Sequence, residues 1–406
     1  MRIAYITSGF PETFVINEIE AHRQAGWEIL PLVSAKPFDH AGRSALDQQW
    51  HGRACYRPSP LAQFLGILRE LVTHPIRFVR VLAFLAHLAC CNAREFAKAI
   101  HEFTVAFYFA DKARQFGAQH VHAHFAARSL SLALMVAILV GRPVSCTAHA
   151  FDIFTRPASS LRPRLLRCRF IAAISQYNVR HLRGLCGDSV ADLCHVIHCG
   201  INMDLFQVVQ RRPQPGRMIA VAHLTNPKKG FDVAIDACAR LRDQGVDFLF
   251  QIVGDGPLRP RIEEQVRRLK LEDRVQLLGG KPNDQIRDLL SQACVFVLAC
   301  VTGPDGDRDG IPVAMMEALA CEVPALTTNI SGNPELVIDG VTGRLVPEKD
   351  PQALAEAMKD MLCDMGRLEQ YGQAGRALVA REFNTAINSA KLRTLMEQAS
   401  SPTTKT

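Results

Sequence analysis

Met218-Ile219-Ala220-Val221-Ala222, Phe248-Leu249-Phe250-Gln251-Ile252-Val253 and Val295-Phe296-Val297-Leu298 are short, almost wholly apolar runs. Between them, Phe231 to Leu241, Arg261 to Leu271 and Ile286 to Ala293 repeat apolar residues at helical spacing. Strands that alternate with helices imply a parallel sheet covered on both faces. Val275 to Leu278, Ala325 to Thr327 and Gly343 to Val346 supply further strands, and Val313 to Ala320 a further helix. The series starts after the turn-rich stretch Arg211-Arg212-Pro213-Gln214-Pro215-Gly216.

A second series of the same kind precedes it. Ile3 to Thr7 is a strand, Val15, Ile16 and Ile19 mark a helix, and Gly26 to Val33 returns as a strand. Val121 to Phe125, Val144 to Ala148 and Ile171 to Ile174 are further strands, and Ser129 to Val140 is an apolar helix. The expected fold class is therefore α/β, with two Rossmann-like, doubly wound parallel-sheet domains facing a central cleft. Ligands of such folds bind at the C-terminal edges of the strands. The expected domains are residues 1–210, with a helical insertion at about 61–116, and residues 211–385. A terminal helix and a disordered tail are expected over 386–406.

The chain has 406 residues, 48% hydrophobic and 21% charged, with a net charge of +7. This mild basic excess suits an anionic ligand or membrane surface. No basic-aromatic interleaving accompanies a nucleic-acid motif, so no nucleic-acid partner is expected. The apolar run at Leu130 to Val140 falls short of the roughly 20 residues that span a bilayer. The N-terminus has no signal-peptide core, and a cytoplasmic location is expected. Thirteen scattered cysteines, without a C-x-x-C pair, argue against a disulfide framework.

The chemistry concentrates in Asp309-Gly310-Ile311-Pro312-Val313-Ala314-Met315-Met316-Glu317. A Gly-x-Pro turn opens a helix, so free backbone N–H groups and the positive helix end face whatever lies ahead of it. That suits a pyrophosphate. Asp309 and Glu317 flank the turn, and carboxylates accept hydrogen bonds from sugar and ribose diols. Asn226-Pro227-Lys228-Lys229-Gly230-Phe231 places lysines before a second helix, again suited to phosphate.

Five motifs now stand in order: Lys228-Lys229-Gly230; Ile252-Val253-Gly254-Asp255-Gly256-Pro257; Asp309 to Glu317; Ser331-Gly332-Asn333-Pro334-Glu335-Leu336-Val337; and Gly340-Val341-Thr342-Gly343-Arg344-Leu345-Val346. Together they resemble the family 4 glycosyltransferases of the GT-B fold. Phe10-Pro11-Glu12-Thr13-Phe14-Val15, His122-Ala123-His124-Phe125 and Ala148-His149-Ala150-Phe151-Asp152-Ile153-Phe154 look like the subgroup that builds bacterial exopolysaccharides of the colanic-acid type.

The resemblance implies a retaining transfer of a hexose from a UDP- or GDP-sugar to a saccharide acceptor, lipid-linked in the expected case. It places His149 beside the reacting sugar and Asp309 on the donor sugar, as the catalytic pair. Glu317 then takes the ribose, and Lys229 the donor phosphates. Gly310, Ile311, Pro312 and Val313 form the turn facing the diphosphate, with Gly254 in the same donor-binding set. Two residues depart from the family pattern. Asp309 replaces a glutamate, and His223 stands where the phosphate arginine stands, supplying at most part of its charge. Arg308 is a candidate to compensate. No metal and no cofactor beyond the donor are expected.

Rival readings attach to particular residues. Asp305-Gly306-Asp307-Arg308-Asp309-Gly310 imitates the start of an EF-hand loop, but position twelve is Met316 rather than a bidentate Glu. His120, His122 and His124 alternate along a strand and share a face, as metal ligands or as hydrogen-bonded side chains. Cys194-His195 and His198-Cys199 fit no common zinc spacing. From Ile153 to Gly187 there are seven arginines and no acid. With Leu161, Leu165, Leu166 and Phe170 interspersed, the run reads as a basic amphipathic surface or a solvated face. A sugar-nucleotide epimerase on the same scaffold, or a non-catalytic sugar-nucleotide-binding partner of polysaccharide assembly, remains the alternative function.

Overall fold

A computed structural model describes residues 1–9, 12–37, 44–206 and 211–401. Phe10 and Pro11, and the tail beyond 401, lie outside the described residues. The chain divides into two compact units. One comprises Met1–His198 and the segment from Thr385 onward; the other is Cys199–Asn384.

The first unit holds a parallel sheet of β1 (Arg2–Thr7), β2 (Glu28–Val33), β3 (Cys55–Tyr56), β4 (His120–His124), β5 (Val144–Ala148), β6 (Ile171–Ala173) and β7 (Cys194–Val196). Their order is β3-β2-β1-β4-β5-β6-β7. The order reverses between β1 and β4, so the two following connections leave on opposite faces and open a crevice at the strands' C-terminal ends. Between β3 and β4 the chain makes three helices, Pro60–Thr73, Pro75–Cys91 and Ala93–Phe116. Phe84, Leu88, Val105 and Phe109 from these helices are buried in one cluster with Leu130, Leu134 and Val136 of the helix Arg128–Val140.

The second unit repeats the plan with β8 (Arg217–Val221), β9 (Leu249–Val253), β10 (Val275–Gly279), β11 (Val295–Leu298), β12 (Ala325–Thr328) and β13 (Gly343–Val346). The order is β10-β9-β8-β11-β12-β13, all parallel, with the reversal between β8 and β11. Its central strands are buried on both faces; Ile219, Phe250, Phe296 and Leu326 are fully inaccessible.

Two boundaries differ from expectation. The first unit ends at His198, before the turn-rich stretch near 211, because Ile201 already bonds to the Phe383 carbonyl and bridges Asn384 of the second unit. The terminal helix Thr385–Ser400 is part of the first unit rather than an appendage. Leu392 and Met396 are buried there against Ile3, Tyr5, Val15 and Ile19, which fill one face of β1 and of the helix Thr13–Gln24. Cys194 and His195 therefore belong to one unit and Cys199 to the other. Among the described residues no two of the thirteen cysteines are joined in a disulfide.

Candidate functional site

In the second unit the donor-side candidates lie beyond the C-terminal ends of β8 and β11, the strands flanking the reversal, and of the neighbouring β9. Beyond β8 come exposed His223 and then Asn226, whose side chain caps the short turn Pro227–Lys229 by accepting from the Lys228 N–H. Gly230 ends that turn at φ +65°, and a Cβ there would sit 1.7 Å from the Ala299 carbonyl oxygen beyond β11. Only glycine lets the lysine turn come this close to the β11 loop. Gly254, at φ +144° beyond β9, is packed as tightly, 1.9 Å from the Ala222 carbonyl oxygen by the same measure.

The lysines and the acidic loop neutralise each other. Lys229 Nζ donates to Asp309 Oδ2 at 2.8 Å, and Lys228 Nζ to Asp307 Oδ2 at 3.0 Å. Burial alone would lower the Lys229 pKa, but Asp309, with Cys300 and Asp307, more than offsets this and the pKa is raised, so the ammonium stays charged. Asp305 accepts the Asp307 N–H. The EF-hand-like carboxylates thus already serve lysines and their own loop.

Gly310 to Pro312 then lead into the helix Val313–Ala320, whose first-turn N–H groups precede any i−4 carbonyl. Gly332 seats this turn, its N–H donating to the Gly310 carbonyl at 3.1 Å. Glu317, the fifth residue of this helix, is partly buried, and burial raises its pKa to about 7.

In the first unit, His149 follows the last residue of β5 and is 5% exposed. Its loop is fixed by two side chains. Asp152 accepts backbone N–H groups of Ala126 (2.7 Å), His149 (3.2 Å) and Ala150 (2.7 Å), and Asn178 donates to the Ala148 carbonyl at 3.2 Å. The His149 ring lies against Phe14 and Phe125, with centroids 5.1 and 4.5 Å away. Phe125 has φ +72°, a strained conformation for an aromatic residue, at the end of the histidine strand. Burial pushes the His149 pKa down to about 3, with His124 acting in the same direction and Glu18 against it.

The histidines of β4 do share a face. His120 and His122 lie 2.7 and 2.8 Å from Ser145 Oγ; His122 also meets Thr147, and His124 meets both Glu18 and His149. One ligand atom each from Glu18, His122 and His124 lies within 4.8 Å of the others. Both nitrogens of His122 and of His124 are nevertheless engaged in these hydrogen bonds, so a cation would have to displace them.

Comparison with known proteins follows the same division. Residues 12–205 match the family model Glycosyltransferase Family 4, and residues 204–378 match Glycosyl transferases group 1. The chain is 31% identical over 410 residues to the putative colanic acid biosynthesis glycosyltransferase WcaL of Salmonella typhimurium, covering 98% of this chain and 100% of that protein. The chain belongs to glycosyltransferase family 4. Another relative of this family-wide length is the amylovoran biosynthesis glycosyltransferase AmsK of Erwinia amylovora, 30% identical over 420 residues, 98% of this chain and 100% of that one.

Solved structures share the GT-B fold of the family. A glycosyltransferase from Rickettsia africae superposes with a TM-score of 0.74 at 17% identity, covering 99% of both chains. Anabaena HepE in complex with UDP-glucose gives 0.70 at 18% identity, with 98% and 100% covered.

For this family 4 glycosyltransferase, sequence reasoning named Lys229, Asp309, Glu317 and His149. It missed the direct Lys229–Asp309 pairing, and it missed Tyr5, Glu18, His22 and Asn178. A signal existed for some of these: Phe14, Glu18 and His22 recur every fourth residue on one helix face, an acid and a histidine beside buried Val15 and Ile19.

Of the arginine run, Arg162, Arg167, Arg169, Arg180 and Arg183 are exposed, whereas Arg156 and Arg164 turn inward. Arg164 is fully buried; it bonds the Ala127 carbonyl at 2.9 Å and pairs with Glu95 of the inserted helices, as does Arg156. Leu161, Leu165 and Phe170 are core residues, leaving Leu166 as the exposed leucine of the run. Exposed aliphatic surface lies instead on the helices Pro60–Thr73 and Pro75–Cys91, led by Leu61, Leu65, Val72, Ile76 and Val79, at 54–77% exposure. Among the described residues no single helix is long and apolar enough to cross a membrane.

Proposed function

We propose that this enzyme transfers a hexose from a UDP- or GDP-sugar to a hydroxyl of a lipid-linked saccharide in exopolysaccharide synthesis, with retention at the anomeric carbon. The observation that carries the reading is the placement of Lys229, Asp309, the 310–313 turn and Glu317 at the C-terminal strand ends around the β8/β11 reversal. The names of the WcaL and AmsK relatives support the exopolysaccharide role, and HepE solved with UDP-glucose supports the donor class.

In this reading the three donors of the Lys229 ammonium hold Asp309 and the diphosphate together. The first-turn N–H groups of Val313 and Ala314 add their partial charge, so the reading calls for no metal. The bond from C1 to the phosphate oxygen breaks and the bond from C1 to the acceptor oxygen forms on the same face. The acceptor's proton passes to the departing diphosphate. Asp309 orients the sugar, Glu317 the ribose, and His149 the acceptor side. His223 contributes at the phosphate edge.

Glu317 gives the test. Below about pH 7 its carboxyl is protonated; above, it is ionised and accepts two charge-assisted hydroxyl hydrogen bonds. Affinity for the intact sugar nucleotide, whose phosphates do not titrate here, should rise roughly tenfold from pH 6 to pH 8, for one proton lost on binding. Calorimetry across UDP- and GDP-hexoses would measure it. Glu317→Gln should bind more weakly and flatten the curve. An unchanged slope in that variant would remove Glu317 from the donor site.

The anionic membrane surface proposed as partner is assigned to the aliphatic helices rather than to the arginine run. Vesicles containing anionic lipid should float with the protein at low salt. Leu65→Asp with Val72→Asp should reduce binding at least tenfold, since burying each such side chain contributes about 1.5–3 kcal/mol. Flotation equal to the parent would show that this face does not meet lipid.

A further inference from the structure

A continuous hydrogen-bonded chain runs through the first unit to His149. Arg393 Nη1 lies 3.4 Å from His22 Nδ1, and His22 Nε2 lies 2.9 Å from the Tyr5 hydroxyl. Tyr5 donates to Glu18 Oε1 at 2.8 Å, and His124 Nε2 is 2.9 Å from the same oxygen. His124 Nδ1 is 3.1 Å from His149 Nε2. The members come from four elements: β1, the helix Thr13–Gln24, β4 and the terminal helix Thr385–Ser400.

Two members fix the direction of the bonds they make themselves. A guanidinium only donates, and an ionised carboxylate only accepts. Burial would raise the Glu18 pKa, but His124, His22 and His122 together hold it well below the usual carboxylate range. Arg393 therefore makes His22 Nδ1 an acceptor, which leaves the His22 proton on Nε2, donated to the Tyr5 oxygen. Tyr5 in turn gives its proton to Glu18. From the other side, Glu18 requires a proton on His124 Nε2. With that single ring proton, His124 offers a lone pair at Nδ1, and a His149 proton on Nε2 meets it.

We propose that Glu18 and His124 are positioning residues that hold His149 as its Nε2–H tautomer, so that Nδ1 is the ring's acceptor nitrogen. The proposal deepens the transferase reading and rests on it for the role of His149: Nδ1 accepts a hydrogen bond from a sugar hydroxyl, and the ring cannot rotate or exchange tautomers during transfer. The logic is that of a carboxylate behind a histidine, extended by one ring. The two aromatic rings against His149 restrict its rotation further.

Nitrogen-15 NMR of the full chain with labelled histidine reads the tautomers directly, and His149→Gln assigns the signal. At pH 7.5, without substrate, His124 and His149 should each show a protonated Nε2 and an unprotonated Nδ1. A wild-type His149 protonated on Nδ1 overturns the proposal, whatever the chain catalyses. In Glu18→Gln, whose amide both donates and accepts, the His149 signals should move toward tautomer averaging. The kcat of that variant should fall roughly 10- to 100-fold, the range for loss of an orienting partner, with the donor KM within about twofold because the donor residues lie in the other unit. Unmoved ring signals and an unmoved kcat in Glu18→Gln also overturn it. A wild type that transfers no sugar would instead sink the transferase reading and leave the tautomer measurement to decide the relay.

Discussion

Lys229→Ala should weaken sugar-nucleotide binding roughly 10- to 150-fold, while binding of the bare nucleoside changes little. The ammonium is the cation held closest to Asp309, and a charged hydrogen bond to phosphate is worth about 1.5–3 kcal/mol. The variant does more than remove an attraction. It leaves Asp309, whose side chain is 14% exposed, with Lys228 Nζ as a more distant partner at 3.7 Å. That carboxylate would then repel the incoming diphosphate. Lys229→Ala with Asp309→Asn should therefore recover part of the lost affinity, a coupling that a double-mutant cycle by calorimetry resolves. Equal losses for nucleoside and sugar nucleotide would place Lys229 away from the phosphates. Additive losses would mean that the pair does not act as one unit.

Gly230→Ala should be the most damaging single methyl group in the proposed donor site. Its Cβ would lie 1.7 Å from one backbone oxygen and 2.6 Å from the attached carbon, and backbone cannot move aside as a flexible side chain does. The left-handed φ adds strain of its own. A loss of at least about 3 kcal/mol follows. For a unit of this size that lowers the melting temperature by roughly 6–12 °C. Gly184→Ala is the control: it is exposed in the helix Gln176–Cys186, with nothing within 4 Å of the added Cβ. It should be stabilising by up to about 1 kcal/mol, through helix propensity. Scanning calorimetry and circular dichroism compare the two. A Gly230→Ala protein that melts with the parent would mean that the lysine turn is looser than its geometry requires.

Much of the fold was legible in the chain itself, for a physical reason. A strand buried on both faces is largely apolar, so Val295–Leu298 stands out at its observed bounds, and Val144–Ala148 and Gly343–Val346 are bounded as expected although they carry Ser145, Thr147 and Arg344. The helix Val313–Ala320 announced its start through Gly310 and Pro312. What escaped was short or amphipathic. Cys55–Tyr56 is a two-residue edge strand with too little sequence to show a pattern. The helices Pro351–Leu362 and Met365–Glu382 carry no motif and were not singled out.

The sequence by itself determined the alternation of strand and helix, the two-fold repetition of that plan and the residue types at the donor-side turns. These are local: periodicity, a glycine, a proline and a lysine are readable within a few residues. Tertiary structure alone decided which charges meet. The acid-free arginine run finds Glu95 from a helix more than sixty residues earlier, and Arg164 ends inside the core. Lys229 meets Asp309 from eighty residues away, and Arg393 of the terminal helix closes a network that begins at Tyr5. Hydrogen bonds and ion pairs depend on distances of a few ångströms between side chains. Only the folding of the sheet, which brings the ends of β1, β4 and β5 together, creates those distances.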